Sequence, residues 1–125
     1  MIRVAVIGAG AFGKNHVRVV GENPRAEIAM VIDKDPSRAP VSDFRQAIGK
    51  VDAAIVAAPT VAHAEIACAL LEAGIDVLIE KPIAATLEEA DRIVEAAERN
   101  RRIAQVGHLE RFNPAILAVE KLATV

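Results

Sequence analysis

The stretch VAVIGAGAFG, residues 4–13, decides the fold. Its first four residues are apolar, the next six contain Gly8, Gly10 and Gly13, and apolar residues at helical spacing follow through Glu22. A short continuous apolar run that ends at glycine is typical of a strand buried on both faces, whereas the later spacing indicates a helix. The chain is therefore predicted to open with a strand, a glycine-rich turn and a helix.

The glycines of this turn have the spacing G-x-G-x-x-G, which gains meaning from its position between a strand and a helix. The first glycine makes a tight turn, the second lets the backbone approach a pyrophosphate, and the third lets the helix pack on the strand. The helix N-terminus adds free N–H groups for phosphate. Dinucleotide binding is therefore predicted for Gly8, Gly10, Ala11, Phe12 and Gly13, the alternative being that the glycines only close a turn.

Similar strand and helix patterns alternate along the rest of the chain. Strands are predicted over residues 3–7, 27–32, 53–57, 77–79 and 103–106, and helices over residues 12–22, 61–73, 87–100 and 114–122. Repeated strand–helix units require right-handed crossovers. The sequence thus predicts an α/β fold, a doubly wound parallel sheet of the Rossmann type with helices on both faces, in a single domain over residues 1–125.

Asp33 stands twenty residues after Gly13, at the end of the second predicted strand. An acidic side chain at this point accepts hydrogen bonds from the adenosine ribose and repels a 2′-phosphate, so NAD is favoured over NADP. Lys34 and Arg38 weaken this preference because either could neutralise a phosphate; the alternative is that both are solvated loop charges. FAD and the ligand of a methyltransferase rank below NAD.

The connection after Asp33 is unusually short. Only seven residues separate it from Val41, although a parallel crossover needs about a dozen. The second crossover helix is therefore expected to be shortened or missing, and the Val41 segment either stays out of the sheet or joins its edge through a bare loop. Ser42 or Asp43 is predicted to cap a brief helix that ends near Gly49.

The third predicted strand ends in Ala58, Pro59 and Thr60, and His63 follows three residues later. Ligands of doubly wound sheets bind outside the carboxyl ends of the strands, near the point where the strand order reverses. These residues are therefore predicted to line the nicotinamide half of the cofactor site, with Thr60 as the N-cap of the next helix. His63 is predicted either to bond the ribose or carboxamide, or to be a capping or packing histidine.

The fourth predicted strand ends in Glu80, Lys81 and Pro82. Because this strand end neighbours the preceding turn, both charges are predicted to face the cofactor, and Pro82 to follow a cis peptide bond. Lys81 is the candidate catalytic residue, since its ammonium could hydrogen-bond a substrate hydroxyl or the nicotinamide ribose and stabilise developing alkoxide charge. The alternative is a solvated lysine paired with Glu80. No metal ligands are assigned.

Composition argues against several other classes of function. The 125 residues carry a formal net charge of -2 and three aromatic residues, all Phe, without the basic block or aromatic platform that nucleic-acid binding uses. No apolar run reaches the roughly 20 residues that span a bilayer, and the first run is too short for a signal peptide. The single Cys68 is predicted to be a buried core residue of a cytoplasmic protein.

Three motifs occur in one order: residues 8–13 with His16, residues 58–60 with His63, and residues 80–82. Together they resemble the N-terminal half of the glucose–fructose oxidoreductase and inositol dehydrogenase (Gfo/Idh/MocA) family. The stretch GHLERFNP, residues 107–114, further resembles members such as UDP-N-acetylglucosamine 3-dehydrogenases. The resemblance implies NAD(P)-dependent chemistry on a sugar or cyclitol hydroxyl, with Lys81 where nicotinamide meets substrate.

Members of that family continue into a second domain, which supplies most of the substrate pocket and an acid/base residue. We therefore expect a trimmed or engineered cofactor domain that binds the dinucleotide without turnover of its own. Two alternatives are an enzyme completed by a partner chain or oligomer, and a scaffold that has lost cofactor binding. His108 could be a proton acceptor, but a loop histidine is favoured. Ile116, Leu117 and Val119 are predicted to form an apolar stripe, which favours a homodimer.

Overall fold

A computed structural model describes residues 1–123 of the chain. The strands are Ile2–Ile7 (β1), Ala26–Ile32 (β2), Ala53–Val56 (β3), Asp76–Ile79 (β4) and Ala104–Val106 (β5), and the α-helices are Ala11–Glu22 (α1), His63–Glu72 (α2), Leu87–Asn100 (α3) and Pro114–Leu122 (α4). All strand pairs are parallel, and the order in the sheet is β2-β1-β3-β4-β5. The predicted doubly wound α/β fold is confirmed.

Side chains of the central strands alternate between two cores, one on each face of the sheet. Ala5 and Ile7 of β1 belong to the larger core under α2 and α3, whereas Val4 and Val6 pack towards α1. This alternation follows from the two-residue period of a strand. Cys68 of α2 is a buried member of the larger core, as predicted, and burial raises the pKa of its thiol.

The prediction of strands buried on both faces is wrong for the outer strands. β2 alternates between exposed and half-buried residues over most of its length, and β5 has no buried residue. Both lie at the edges of the sheet, where fewer elements cover them. An apolar run thus indicated strand formation correctly but did not indicate the strand's place in the sheet.

The short connection after β2 joins the edge of the sheet without a helix. Ile32 and Val41 form a single parallel bridge, and the Asp33 N–H donates to the Val41 carbonyl at 2.9 Å. Asp43 then caps the 3₁₀ helix Phe44–Ala47 by accepting a hydrogen bond from a backbone N–H. The bare-loop alternative is therefore the correct one: the Val41 segment joins the edge of the sheet beside Ile32 through a loop.

A capping side chain marks the N-terminus of α3 and a glycine marks the C-terminus of α2, whereas the N-terminus of α2 has neither. Thr86 caps α3, and Gly74 follows α2 with φ +80°. Thr60 is not an N-cap: it begins the 3₁₀ helix Thr60–Ala62, which precedes α2, and no side chain caps either helix. The prediction was wrong because Pro59, which has no side-chain acceptor, occupies the position before that 3₁₀ turn.

Helix α4 contacts the preceding 3₁₀ helix, Leu109–Phe112, and has no buried residue. Ile116, Leu117 and Val119 are exposed by 41%, 43% and 59%, so the predicted apolar stripe is present on the surface. Within residues 1–123 no helix combines the length and the apolar character needed to cross a membrane.

Candidate dinucleotide-binding site

The chain turns back at Gly8, directly after β1, where the strand order reverses between β1 and β3. Gly8 has φ +95°, a conformation that favours glycine, and an added Cβ would lie 2.5 Å from both the carbonyl carbon and the oxygen of Ala57. The Ala57 N–H donates to the Ile7 carbonyl at 2.7 Å. The first glycine is therefore required by contact between the two turns that follow β1 and β3.

The other two glycines of the motif have different surroundings. A Cβ on Gly13 would lie 1.8 Å from the Gly8 carbonyl oxygen, so this residue lets α1 pack against the turn. A Cβ on Gly10 would meet only the Arg38 Nη1 atom, at 3.8 Å. The space beside Gly10 is therefore open, and it lies at the N-terminus of α1.

That N-terminus is suited to an anion. Gly10 occupies the N-cap position without a side-chain hydrogen bond, and the first turn of α1 contains no acidic residue. The first N–H groups of a helix have no intrahelical partner and carry the positive end of the helix dipole. The open space and the free donors together fit a pyrophosphate, and Ala11 is the first helical residue beside it.

Asp33 lies next to the glycine turn and is held in one orientation. Its Oδ2 accepts the Ala9 N–H at 2.7 Å, and its Oδ1 accepts the Asp35 N–H at 2.8 Å. Each carboxylate oxygen has a second acceptor site, which leaves capacity for ribose hydroxyls. Lys34 is exposed on the same loop, and Arg38 pairs with Asp35 at 3.5 Å.

A cleft of about 140 Å³ adjoins the glycine turn. Its lining contains seven of the residues predicted for the cofactor site together with Ala57: Phe12, Ala57, Ala58, Pro59, Thr60, His63, Glu80 and Lys81. These residues come from three turns that are distant in sequence. The parallel sheet brings them together because its strands end at the same edge.

The buried side chain of His63 connects the turn after β3 with the turn after β4. It is 1% exposed, with Nε2 at 2.7 Å from the Ala58 carbonyl oxygen and Nδ1 at 3.0 Å from the Pro82 carbonyl oxygen. Carbonyl oxygens only accept, so whichever ring nitrogen carries the hydrogen donates to one of the two turns. Both ring nitrogens face backbone, which corresponds to the predicted packing role rather than to a bond with ribose or carboxamide.

The side chains of Glu80 and Lys81 have different surroundings. Lys81 is exposed, whereas Glu80 is 9% exposed and places Oε1 at 2.6 Å from His16 Nε2 on α1. The peptide bond before Pro82 is cis, as predicted. Glu80 and Lys81 both line the cleft, but the Glu80 carboxylate is paired with His16 whereas the Lys81 side chain is exposed.

The contact between His16 and Glu80 was not predicted, although His16 is part of one of the sequence motifs. Gly107 was not predicted to have a role at the site. An added Cβ on Gly107 would lie 3.3–3.4 Å from the Glu80 carboxylate atoms. His108 follows on an exposed loop after β5. In the part of the chain that the structure describes, no group of three or more His, Cys, Asp or Glu residues could hold a metal ion.

Comparisons with known proteins agree with this geometry. The chain matches the GFO_IDH_MocA model, described as the oxidoreductase family with an NAD-binding Rossmann fold, over residues 2–108. Inositol 2-dehydrogenase 1 of Saccharopolyspora erythraea is 35% identical over an alignment of 136 positions, which covers 96% of this chain and 40% of that protein. The chain thus spans about 40% of the length of the curated relatives it matches.

Two solved structures extend the comparison. UDP-N-acetylglucosamine 3-dehydrogenase GnnA from Acidithiobacillus ferrooxidans has a TM-score of 0.88 at 28% identity, covering 98% of this chain and 43% of that one. GenD2 from gentamicin A biosynthesis, solved in complex with NAD, has a TM-score of 0.93 at 26% identity, covering 98% and 39%. Because the family model covers most of the chain, from β1 to His108, the chain belongs to the Gfo/Idh/MocA family of oxidoreductases, and its fold is that family's NAD-binding Rossmann fold.

Proposed function

We propose that this chain is the cofactor-binding part of a sugar or cyclitol oxidoreductase, and that by itself it binds NAD without turnover. The observation that carries the proposal is the open space at Gly10, where an added Cβ would have no neighbour closer than 3.8 Å. Gly8 and Gly13 are enclosed by backbone atoms, so their lack of a side chain is explained by packing. Only the middle glycine leaves room for a ligand, and the pyrophosphate would lie there.

The rest of the dinucleotide would extend in both directions along the sheet edge. The adenosine ribose would lie at Asp33 and Lys34, and the nicotinamide half in the cleft lined by residues 58–60 and 80–82. A bound nicotinamide supplies the hydride acceptor. Lys81 is exposed at the mouth of this cleft, where its ammonium would donate a hydrogen bond to the substrate hydroxyl or the nicotinamide ribose and stabilise negative charge on oxygen.

The substrate class that we propose is supported by the names of relatives. The names of the matched proteins include an inositol 2-dehydrogenase and a UDP-N-acetylglucosamine 3-dehydrogenase, both of which denote oxidation of a polyhydroxylated ring. We assign this chain to the same class, a ring hydroxyl of a sugar, nucleotide-sugar or cyclitol. The remainder of the substrate pocket would come from a further domain or chain.

A second proposal is an oxidoreductase completed by another chain or by a homodimer. It is supported by α4, on which Ile116, Leu117 and Val119 are exposed together and no residue is buried. Association through this stripe would remove apolar surface from water. Sedimentation at increasing protein concentration measures it, and a monomer at every concentration would contradict the homodimer.

Calorimetric titration of the purified chain with NAD, and in parallel with NADP, tests the first proposal. Saturable binding of both is expected, with NAD the tighter ligand because Asp33 repels a 2′-phosphate. No heat with either ligand would contradict the proposal and favour a scaffold that has lost cofactor binding. Absence of hydride transfer to NAD with sugars present is expected from the chain alone.

The Asp33→Asn variant refines this test, because its amide oxygen can still accept one of the two backbone N–H groups while the charge is lost. We expect NAD affinity to fall roughly tenfold, the scale of one charge-assisted hydrogen bond, and NADP affinity to fall less. Asp91→Asn, at an exposed position of α3, is the matched control. Equal losses for NAD and NADP would exclude Asp33 from cofactor selection.

A further inference from the structure

The contact between His16 and Glu80 joins the two ends of the candidate site. His16 lies in the second turn of α1, the helix whose N-terminus faces the open space at Gly10. Glu80 follows β4 and directly precedes Lys81. The two side chains meet at 2.6 Å although they are 64 residues apart in sequence, and their exposed fractions are only 23% and 12%.

Glu80 is also held from its other sides. Its backbone N–H donates to the Val56 carbonyl at 2.9 Å, which ties it to the end of β3. The Gly107 N–H donates to the Ile79 carbonyl at 2.8 Å, and this places the Gly107 Cα beside the Glu80 carboxylate. A side chain at position 107 would press on the carboxylate, with an added Cβ 3.3 Å from Oε1. Glycine at this position therefore leaves room for Glu80 in the orientation that meets His16.

The chemistry of the pair makes it a strong connection. An ionised carboxylate only accepts, so the His16 Nε2–H donates to it. Hydrogen bonds with an ionised partner are shorter and stronger than neutral ones, and partial burial reduces competition from water. The pair thus opposes movement of α1 relative to the segment that carries Lys81.

We propose that His16 and Glu80 are positioning residues, which align the nicotinamide end of the site with the phosphate end. This inference rests on the proposed function, since it presumes that a dinucleotide spans the two ends. Phosphate contacts need no such alignment, because they depend on the glycine turn and the N-terminus of α1, which are adjacent in sequence. Contacts of the nicotinamide half with Lys81 do need it, because Lys81 is the next residue after Glu80.

Titration with two ligands separates the ends of the site: NAD, and ADP-ribose, which lacks the nicotinamide. For His16→Leu we expect NAD affinity to fall roughly tenfold, the scale of one charge-assisted hydrogen bond, while ADP-ribose affinity changes less than about twofold. His16→Gln retains an N–H donor and is expected to recover most of the loss. Asn15→Leu, at the neighbouring exposed position of α1, is the matched control and should change neither affinity.

Gly107→Ala provides a second route that leaves α1 unaltered. Its Cβ would lie 3.3 Å from Glu80 Oε1, so the carboxylate must shift by a few tenths of an ångström relative to His16, and NAD affinity is expected to fall selectively but by less than in His16→Leu. This variant also decides the question if His16→Leu does not fold. Equal loss of NAD and ADP-ribose, or no loss of NAD, would overturn the positioning role. Failure of the unmodified chain to bind ADP-ribose would instead refute the proposed dinucleotide site.

Discussion

Replacing Gly13 with alanine is expected to destabilise the fold by about 3 kcal/mol or more. The new Cβ would lie 1.8 Å from the Gly8 carbonyl oxygen and 2.7 Å from its carbonyl carbon. Both contacts are with backbone, so no side chain can rotate away, and α1 would have to move off the sheet. Overpacking within a rigid core costs about 1–3 kcal/mol even where side chains yield.

Thermal unfolding measures this effect. A loss of that size lowers the Tm by roughly 10 °C for a domain of this length. Gly21→Ala is the matched control, because Gly21 lies in the same helix and an added Cβ there has no neighbour within 4 Å. It should raise stability by about 0.5–1 kcal/mol, since alanine favours helix. A Gly13→Ala variant as stable as the unmodified chain would show that α1 does not depend on this close approach.

Replacing Gly10 with alanine is expected to separate binding from stability. Gly10 has φ −72°, which alanine adopts without strain, and the nearest atom to an added Cβ is 3.8 Å away. Because alanine caps a helix less well than glycine, the free energy of unfolding should still fall, but only by about 0.5–1 kcal/mol. NAD affinity should fall roughly tenfold to a hundredfold, because the methyl group would occupy the space of the pyrophosphate and break one or two charge-assisted hydrogen bonds.

Calorimetry and thermal unfolding of the same sample check both halves of this expectation. Gly21→Ala again serves as the control, with unchanged NAD affinity. If Gly10→Ala binds NAD as tightly as the unmodified chain, the pyrophosphate does not approach the turn at this glycine. If Gly10→Ala loses as much stability as Gly13→Ala, the open space beside Gly10 does not make this position more tolerant of a side chain than position 13.

Much of the fold could be predicted because its signals are local. The ranges 87–100 and 114–122 were predicted as helices and are helices with those bounds, since Thr86 caps the first and Pro114 opens the second. The absence of a helix between Asp33 and Val41 was predicted from the length of this connection, because seven residues cannot contain a helix and also return to the sheet. Local propensity failed at Thr60, where the 3₁₀ turn begins one residue earlier than a Thr cap would require.

The sequence could predict at which strand end each candidate site residue lies. Parallel strands end at one edge, so the turns after β1, β3 and β4 had to meet there. The direction of each side chain was not predictable. His63 turns inward to two backbone carbonyls, and Glu80 turns to His16.

The amino-acid sequence by itself determined the order of strands and helices, the glycine turn and the family, because these depend on patterns within a few residues of one another. Only the tertiary structure decided that Gly10 is open while Gly8 and Gly13 are enclosed, and that Glu80 pairs with His16 beside Gly107. Those contacts join residues from different strands and helices. Their geometry depends on how the strands and helices pack together, and this packing cannot be predicted from patterns of neighbouring residues.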